Sequence, residues 1–277
     1  MATGAMRREV GALVGFMERQ RNVYRRFWAW ELVWFIYSLV GVMSIGYLAN
    51  GLGEVGPGVP MDLDATRLYL LSGSLLWSYL SLVFMEVAYA IGWERWEGTI
   101  EYTFMAPVHR ATHLLGVCAA AVLYGLARTA IVVVAAVALF DVDLSHANLL
   151  GAGVVLAVAT VPLVGLGILI AILPLLAPEK GDQMSVALQG MFLLVSGVYY
   201  PISVLPGPLR AAGVVSPLTY MLSGLRDALL ETASVGSLLP RIGLLLLIGV
   251  VLIPLGLWLF ALAEHRAKRL GTLKRSG

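Results

Sequence analysis

Residues 93–110 read WERWEGTIEYTFMAPVHR and gather charge and aromatic surface between two long apolar runs. Glu94, Glu97 and Glu101 stand at i, i+3 and i+7, so a helix would set all three carboxylates on one face. Trp93, Trp96, Ile100 and Phe104 keep the same spacing about 100° round that helix. Acid–base chemistry would need a His or Asp placed with these acids, and the stretch supplies none that can be assigned to them. The plain reading is a surface helix at the lipid–water boundary, which Trp and charged residues both favour. A working role for the acidic stripe stays open beside it, and the elements around the stretch must decide.

Those elements are greasy. Charged residues make up 13% of the 277-residue chain, against roughly 25% in soluble domains. Mean hydropathy is +0.85, and the apolar residues arrive in runs of about twenty, long enough to cross a bilayer as helix. An all-α polytopic membrane protein follows. The net charge of +2 says little, because placement of charge matters more here than its sum. The one cysteine, Cys118, lies in an apolar run and reads as a packing residue. Six arginines in residues 7–26 precede a full-length span, which is no cleavable leader. GxxxxGK[ST], HExxH, CxxC and GxSxG are all missing, so nucleotide, zinc and nucleophile-elbow chemistry have no anchor.

Apolar length and interrupting charge predict six spans, at about 29–49, 69–91, 115–139, 148–173, 184–204 and 242–262. With both termini cytoplasmic, fourteen of the nineteen Lys and Arg fall on the inner side, from Arg7 to Arg275. Arg67, Arg210, Arg226 and Arg241 fall outside, and Arg128 within a span. The expected location is therefore the cell membrane, with residues 93–113 inside. The loop GLGEVGPGVPMDLDATR carries Glu54, Asp62 and Asp64, and DVDLSHAN has no Lys or Arg. In residues 7–27, Val10, Leu13, Val14 and Met17 line one helical face amid arginines, as in a helix lying on the inner leaflet.

Four prolines, Pro201, Pro206, Pro208 and Pro217, interrupt the chain after the fifth span. Ser216-Pro217 reads as a helix start, the Ser capping and the Pro suiting the first turn. Leu218, Met221, Leu222, Leu225 and Leu229 would share one face of that helix. Arg226, Asp227 and Glu231 make it too polar for a simple crossing. Residues 201–231 read as broken helices dipping into the outer leaflet, or as an external loop with one surface helix. Glu31, Glu86 and Arg128 fall inside spans, where a central charge costs about 2.5–3.5 kcal/mol or more. Glu86 and Arg128 would pair only if the third span starts later than drawn.

Three segments in register resemble the permease subunits of type-2 ATP-binding-cassette exporters. Glu94-Arg95-Trp96-Glu97-Gly98-Thr99-Ile100-Glu101 with Ala106-Pro107-Val108-His109-Arg110 is similar to that family's stretch after the second span. Ser196-Gly197-Val198-Tyr199-Tyr200-Pro201 through Leu205-Pro206 is similar to its motif after the fifth. Ser216-Pro217-Leu218-Thr219-Tyr220, with Leu225-Arg226 beyond, is similar to its third. Many members have a lysine soon after the arginine matching Arg110, whereas this chain reads His113-Leu114-Leu115-Gly116-Val117 there.

The resemblance implies one transmembrane domain over 1–277. Within it are an amphipathic interface helix at 1–27, a six-span bundle at 29–262 and a basic cytoplasmic tail at 263–277. A coupling helix at about 93–106 and a re-entrant outer segment at about 201–231 complete it. Glu94, Arg95, Glu97, Gly98, Thr99, Glu101, Pro107 and Arg110 would couple to a separate ATPase subunit, present in two copies and binding ATP and Mg. Gly98 would allow close approach of the two, and Pro107 would end the helix. A second permease copy or homologue would complete a path along the second and fifth spans. Trp77, Tyr89, Gln189, Phe192, Tyr199 and Tyr200 would line it, with Tyr69, Tyr79, Met85, Met184 and Met191 also available. Pro201, Pro206, Pro217, Tyr220 and Arg226 would form the outer gate.

The implied function is ATP-driven export of an amphipathic drug, lipid or lipid-linked glycan, by a subunit that is not itself an enzyme and binds no nucleic acid. A membrane-embedded lipid- or glycan-modifying enzyme lacks its converging polar groups here. A secondary transporter lacks its internal repeat and mid-span carboxylate.

Overall fold

The computed structural model describes residues 2–55, 63–140, 147–177, 179–230 and 234–271. Asp62, Glu231, Lys274, Arg275 and residues 141–146 lie outside that set. The described chain forms α1 (Ala2–Arg26), α2 (Trp28–Val55), α3 (Leu63–Trp96), α4 (Ile100–Met105), α5 (Arg110–Phe140) and α6 (Leu149–Ile170). Then follow α7 (Ile172–Leu176), α8 (Gly181–Val195), α9 (Gly207–Val215), α10 (Pro217–Leu230) and α11 (Val235–Leu270), with a 3-10 turn at Ile202–Val204.

Among the described residues, five segments are long and apolar enough to cross a bilayer: Trp28–Leu52, Ala65–Glu97, Arg110–Phe140, Leu149–Leu176 and Gly236–Leu270. Helix is the outcome expected there, since a backbone in hydrocarbon must satisfy its own polar groups. These are the predicted first, second, third, fourth and sixth spans, each running further than its apolar core. The chain is an all-α, multi-pass membrane protein. The fifth predicted span departs from its outline. Instead of filling 184–204, α8 has 15 residues, about 22 Å at the helical rise, short of the roughly 30 Å hydrocarbon core. Pro201, Pro206 and Pro208 stop the following stretch from continuing it.

The central helix is α3, which packs on α2, α5, α6, α7, α8 and α10. Its Leu80, Val83, Phe84 and Val87 meet Leu163 and Ile168 of α6 and Phe260 of α11 in the main core. Tyr79 belongs to that core too, fully buried, and so does not line a path as its place on the second span had implied. Cys118 is buried in the same cluster, the packing role its surroundings predict.

The N-terminal helix is more than a surface float. Phe16 of α1 sits on His113 of α5 with ring centroids 4.7 Å apart, and Tyr24 stacks on Tyr124 at 4.3 Å. Of the expected apolar face, Leu13 and Met17 are half-buried while Val10 and Val14 stay exposed with Met6. The membrane charges are satisfied through these contacts. Tyr24 donates to Glu86 at 2.6 Å and Gln20 donates to it at 3.4 Å. Tyr124 donates to Glu31 at 2.6 Å, and Arg128 donates to the Trp34 carbonyl. Glu86 therefore takes its partners from α1 rather than from Arg128. Burial, and then the Glu86 carboxyl, push the Tyr24 phenol far above its ordinary range, so it stays a donor.

Candidate functional site: the elbow between α3 and α5

The expected continuous helix over 93–106 is broken in two. α3 ends at Trp96, and Glu97-Gly98-Thr99 turn the chain before α4. Gly98 has φ 74°, its N–H donates to the Arg95 carbonyl at 3.0 Å, and the Thr99 N–H donates to the Glu94 carbonyl at 2.8 Å. That pair of bonds closing over a left-handed glycine is a Schellman cap. Gly98 thus serves backbone geometry. Gly98→Ala would put a Cβ in the left-handed region, at about 1–2 kcal/mol. The expected result is a lower melting temperature of the purified chain; an unchanged one would exclude strain at this turn.

The break splits the acidic stripe. Glu94, on the last turn of α3, is 1% exposed, whereas Glu97 in the turn and Glu101 on α4 are both exposed. Glu94 accepts from Arg19 of α1, and its Oε1 lies 3.0 Å from Nε2 of the buried His113 on α5. Arg19 also lies 3.6 Å from Glu97 and reaches the Thr99 hydroxyl at 3.4 Å. One residue on, Arg95 points the other way. It is 2% exposed and donates to the carbonyls of Pro174 at 2.8 Å and Leu175 at 3.1 Å. Those carbonyls end the short α7 and have no partner within the helix, so Arg95 acts as a side-chain cap.

The far side of the elbow is tied as well. Arg110 opens α5, donates to the Thr103 carbonyl at 2.8 Å and to that of Phe104, and lies over the Phe104 ring at 4.5 Å. It also pairs with Glu264 of α11 at 3.1 Å, which in turn holds Lys268 at 2.6 Å. Pro107 is exposed just past the end of α4, where it bars extension of that helix. Ile100 and Phe104 bury one side of α4. The opposite side carries Glu101 with Tyr102 and Met105, 73% and 71% exposed, and Trp96 projects nearby at 63%. The exposed surface of the elbow thus sets apolar side chains beside two acids, Glu97 and Glu101.

At the other end of the bundle, Arg226 of α10 gathers the turn after α8. It donates to the carbonyls of Gly197 at 2.9 Å and Val198 at 2.5 Å, and its guanidinium lies 3.5 Å from the Tyr69 ring centre. Gly73 of α3 lets that turn close, since a Cβ there would meet the Val198 oxygen at 2.1 Å. α10 begins at Pro217 as predicted, with Leu218, Met221 and Leu222 buried. The Ser216 hydroxyl pairs with Ser196 at 3.0 Å instead of capping the helix. Tyr200 and Tyr220 each donate to a carbonyl six residues back, at 2.7 Å. Pro201 and Pro206 are exposed in extended backbone.

The six residues proposed for a path are not drawn into one place. Trp77, Tyr199 and Phe192 pack against the core, Phe192 at 5.9 Å from Phe84. Tyr89 is exposed on α3, Gln189 half-buried on α8, and Tyr200 half-buried in the turn. Arg19, His113 and Glu264 complete the elbow and were not picked out from sequence. Their only signal was opposite charge or a hydrogen-bonding ring, with partners 75, 19 and 154 residues away.

A family model described as ABC-2 type transporter matches residues 12–230, which take in the elbow, the latched turn and α10. No curated protein matches the chain significantly. The helical, multi-pass bundle with this elbow and this turn is therefore a membrane subunit of an ATP-binding-cassette transporter, and the chain belongs to the ABC-2 type transporter family.

Proposed function

We propose that the chain is the permease of an ATP-driven exporter that moves an amphipathic drug, lipid or lipid-linked glycan out of the cytoplasm or inner leaflet. A separate ATPase subunit, in two copies, binds ATP and Mg and seats on the elbow. A second permease, a copy or a homologue, encloses the path. The observation that carries this reading is the form of the elbow. A six-residue helix is held against α1, α7 and α11 by side chains on both sides of it, and shows Tyr102 and Met105 outward.

A push on such a helix moves the spans it is tied to as a body, because packed helices shift between discrete arrangements instead of deforming smoothly. Exposed aromatic and Met side chains beside two acids suit a protein groove, where such residues contribute most of the binding energy. The excess of basic residues at the elbow end orients both termini to the cytoplasm of the cell membrane, with the latched turn outside. Residues 196–231 then close the outer end of the path, with Arg226 holding Gly197 and Val198 down on α3.

Tyr102→Ala combined with Met105→Ala tests the seat. Each side chain is exposed, so folding should change by no more than about 0.5 kcal/mol. Copurification of the ATPase with the membrane subunit should fall at least about tenfold, as for loss of an interface anchor. Full capture of the motor by the double variant would move the docking surface elsewhere.

A further inference from the structure

The elbow and the latch leave one large feature of the bundle unused. Between α6, α8, α11 and the corner where α9 meets α10 lies a cavity of about 610 Å³. Met191, Phe192 and Val195 of α8 form one wall, Val215 of α9 another and Val251 of α11 a third, with Ser216 and Pro217 at the corner. The size is that of a site for a small organic ligand.

Its chemistry is one-sided. Ser216 is the one polar side chain among the lining residues, and its hydroxyl is already bonded to Ser196 at 3.0 Å. A sugar, a headgroup or a polar drug would find no side-chain partner, and water would find too few to stay. What such a wall recognises is hydrocarbon. The opening passes Met191, Val215 and Val251, all exposed, and Val251 lies within the Gly236–Leu270 span, where the surrounding medium is lipid tails. An exposed face of α8 made by Val186, Gly190 and Leu194 lies on the opposite side of that helix from the cavity wall, so a second permease seated there leaves the opening free.

We propose that this cavity is a lateral site for one acyl chain of a bilayer phospholipid. The chain fills the space under the α9–α10 corner, entering between Met191, Val215 and Val251. Met191 and Phe192 of α8, which the resemblance set along the fifth-span path, also line this cavity, so the site opens beside that path and is distinguished from it by its α11 wall.

The test uses the full-length chain with its partners in nanodiscs of phosphatidylcholine containing a small share of phosphatidylcholine with a mid-chain diazirine. After irradiation, peptide mass spectrometry maps the adducts. Labelling of Met191, Phe192 and Val251 should exceed, several-fold, that of the exposed α5 residues Leu123, Ile131 and Val134. Ala212→Phe, which fills the cavity from the exposed side of α9, should bring cavity labelling down to the α5 level and leave α5 unchanged. Leu247→Phe does the same from α11 and covers a failure of the first variant to fold. Equal labelling of all faces in the wild type, or undiminished labelling in both filled variants, overturns the site. Unlabelled cavity peptides together with a cysteine cross-link between two copies at Val251 overturn it as well, by giving the space to the second permease. Lipid contact is read directly, so loss of this site and loss of the export reading are separate results.

Discussion

Glu94→Ala should lower stability by about 1–3 kcal/mol, the usual cost of leaving a buried polar group without its partner, and should release the ATPase with it. The carboxylate is 1% exposed and serves Arg19 and His113 together, one from α1 and one from α5. Removing it leaves the His113 ring buried without that partner and frees Arg19, which also bonds Thr99 at the turn. The elbow would then lose its tie to two helices in one step. Glu94→Gln is the control, since the amide still accepts from Arg19 but carries no charge and offers the second partner less. The measurements are the melting temperature of the purified chain and capture of the ATPase on an affinity column. Both should fall in the order wild type, Gln, Ala. A Glu94→Ala variant that melts with the wild type and holds the motor would show that the network does not brace the elbow.

Arg226→Leu should be the comparable change at the opposite end. Its guanidinium supplies donors to Gly197 and Val198 and lies on Tyr69, so a leucine leaves carbonyls of a buried turn without partners. Each such group costs about 1–3 kcal/mol. Burial already draws the Arg226 guanidinium below its ordinary range, with Tyr69 acting against that, so the site tolerates a cation but gains little from its charge alone. Arg226→Lys therefore separates charge from geometry. Lysine keeps the cation but lacks the planar fork that reaches two carbonyls and stacks on a ring, and should recover only part of the loss. Thermal melting gives the stability, and accessibility of a cysteine at Val198 to an impermeant reagent reports whether the turn has lifted from α3. Full rescue by lysine would show that charge, not the fork, holds the turn.

Much of the architecture is a local property of the chain and was legible there. Hydrocarbon allows a backbone only helices or closed barrels, so a run of about twenty apolar residues declares a span without reference to any neighbour. The start of α10 at Ser216-Pro217, and the end of α4 before Pro107, rest on proline's fixed φ and missing N–H, which are equally local. The fifth helix was drawn too long, because Gly197 takes φ 73° and turns residues 196–200 out of the helix, a signal outweighed in the sequence by the apolar run before it. The Ser196–Ser216 pair and the Arg226 fork hold them.

The elbow shows the division most sharply. The spacing of Glu94, Glu97 and Glu101 states where three side chains lie on a helix, provided the helix continues. Gly98 ends it with a left-handed turn, a signal that was present in the sequence but competed with the periodicity across it. The family resemblance located the coupling segment, while the residues facing a partner had to come from packing. Glu94 and Arg95 are neighbours on α3, and helical geometry sends them about 100° apart. Which helices stand in those two directions depends on how α1, α5 and α7 pack around α3, with partners as far as 80 residues away. Sequence by itself therefore determined an all-α membrane bundle with an elbow between its second and third long crossings. Only the tertiary structure decided that Glu94 and Arg95 brace the elbow from within and leave Tyr102 and Met105 on its face, because burial belongs to the neighbours a side chain meets and not to the side chain.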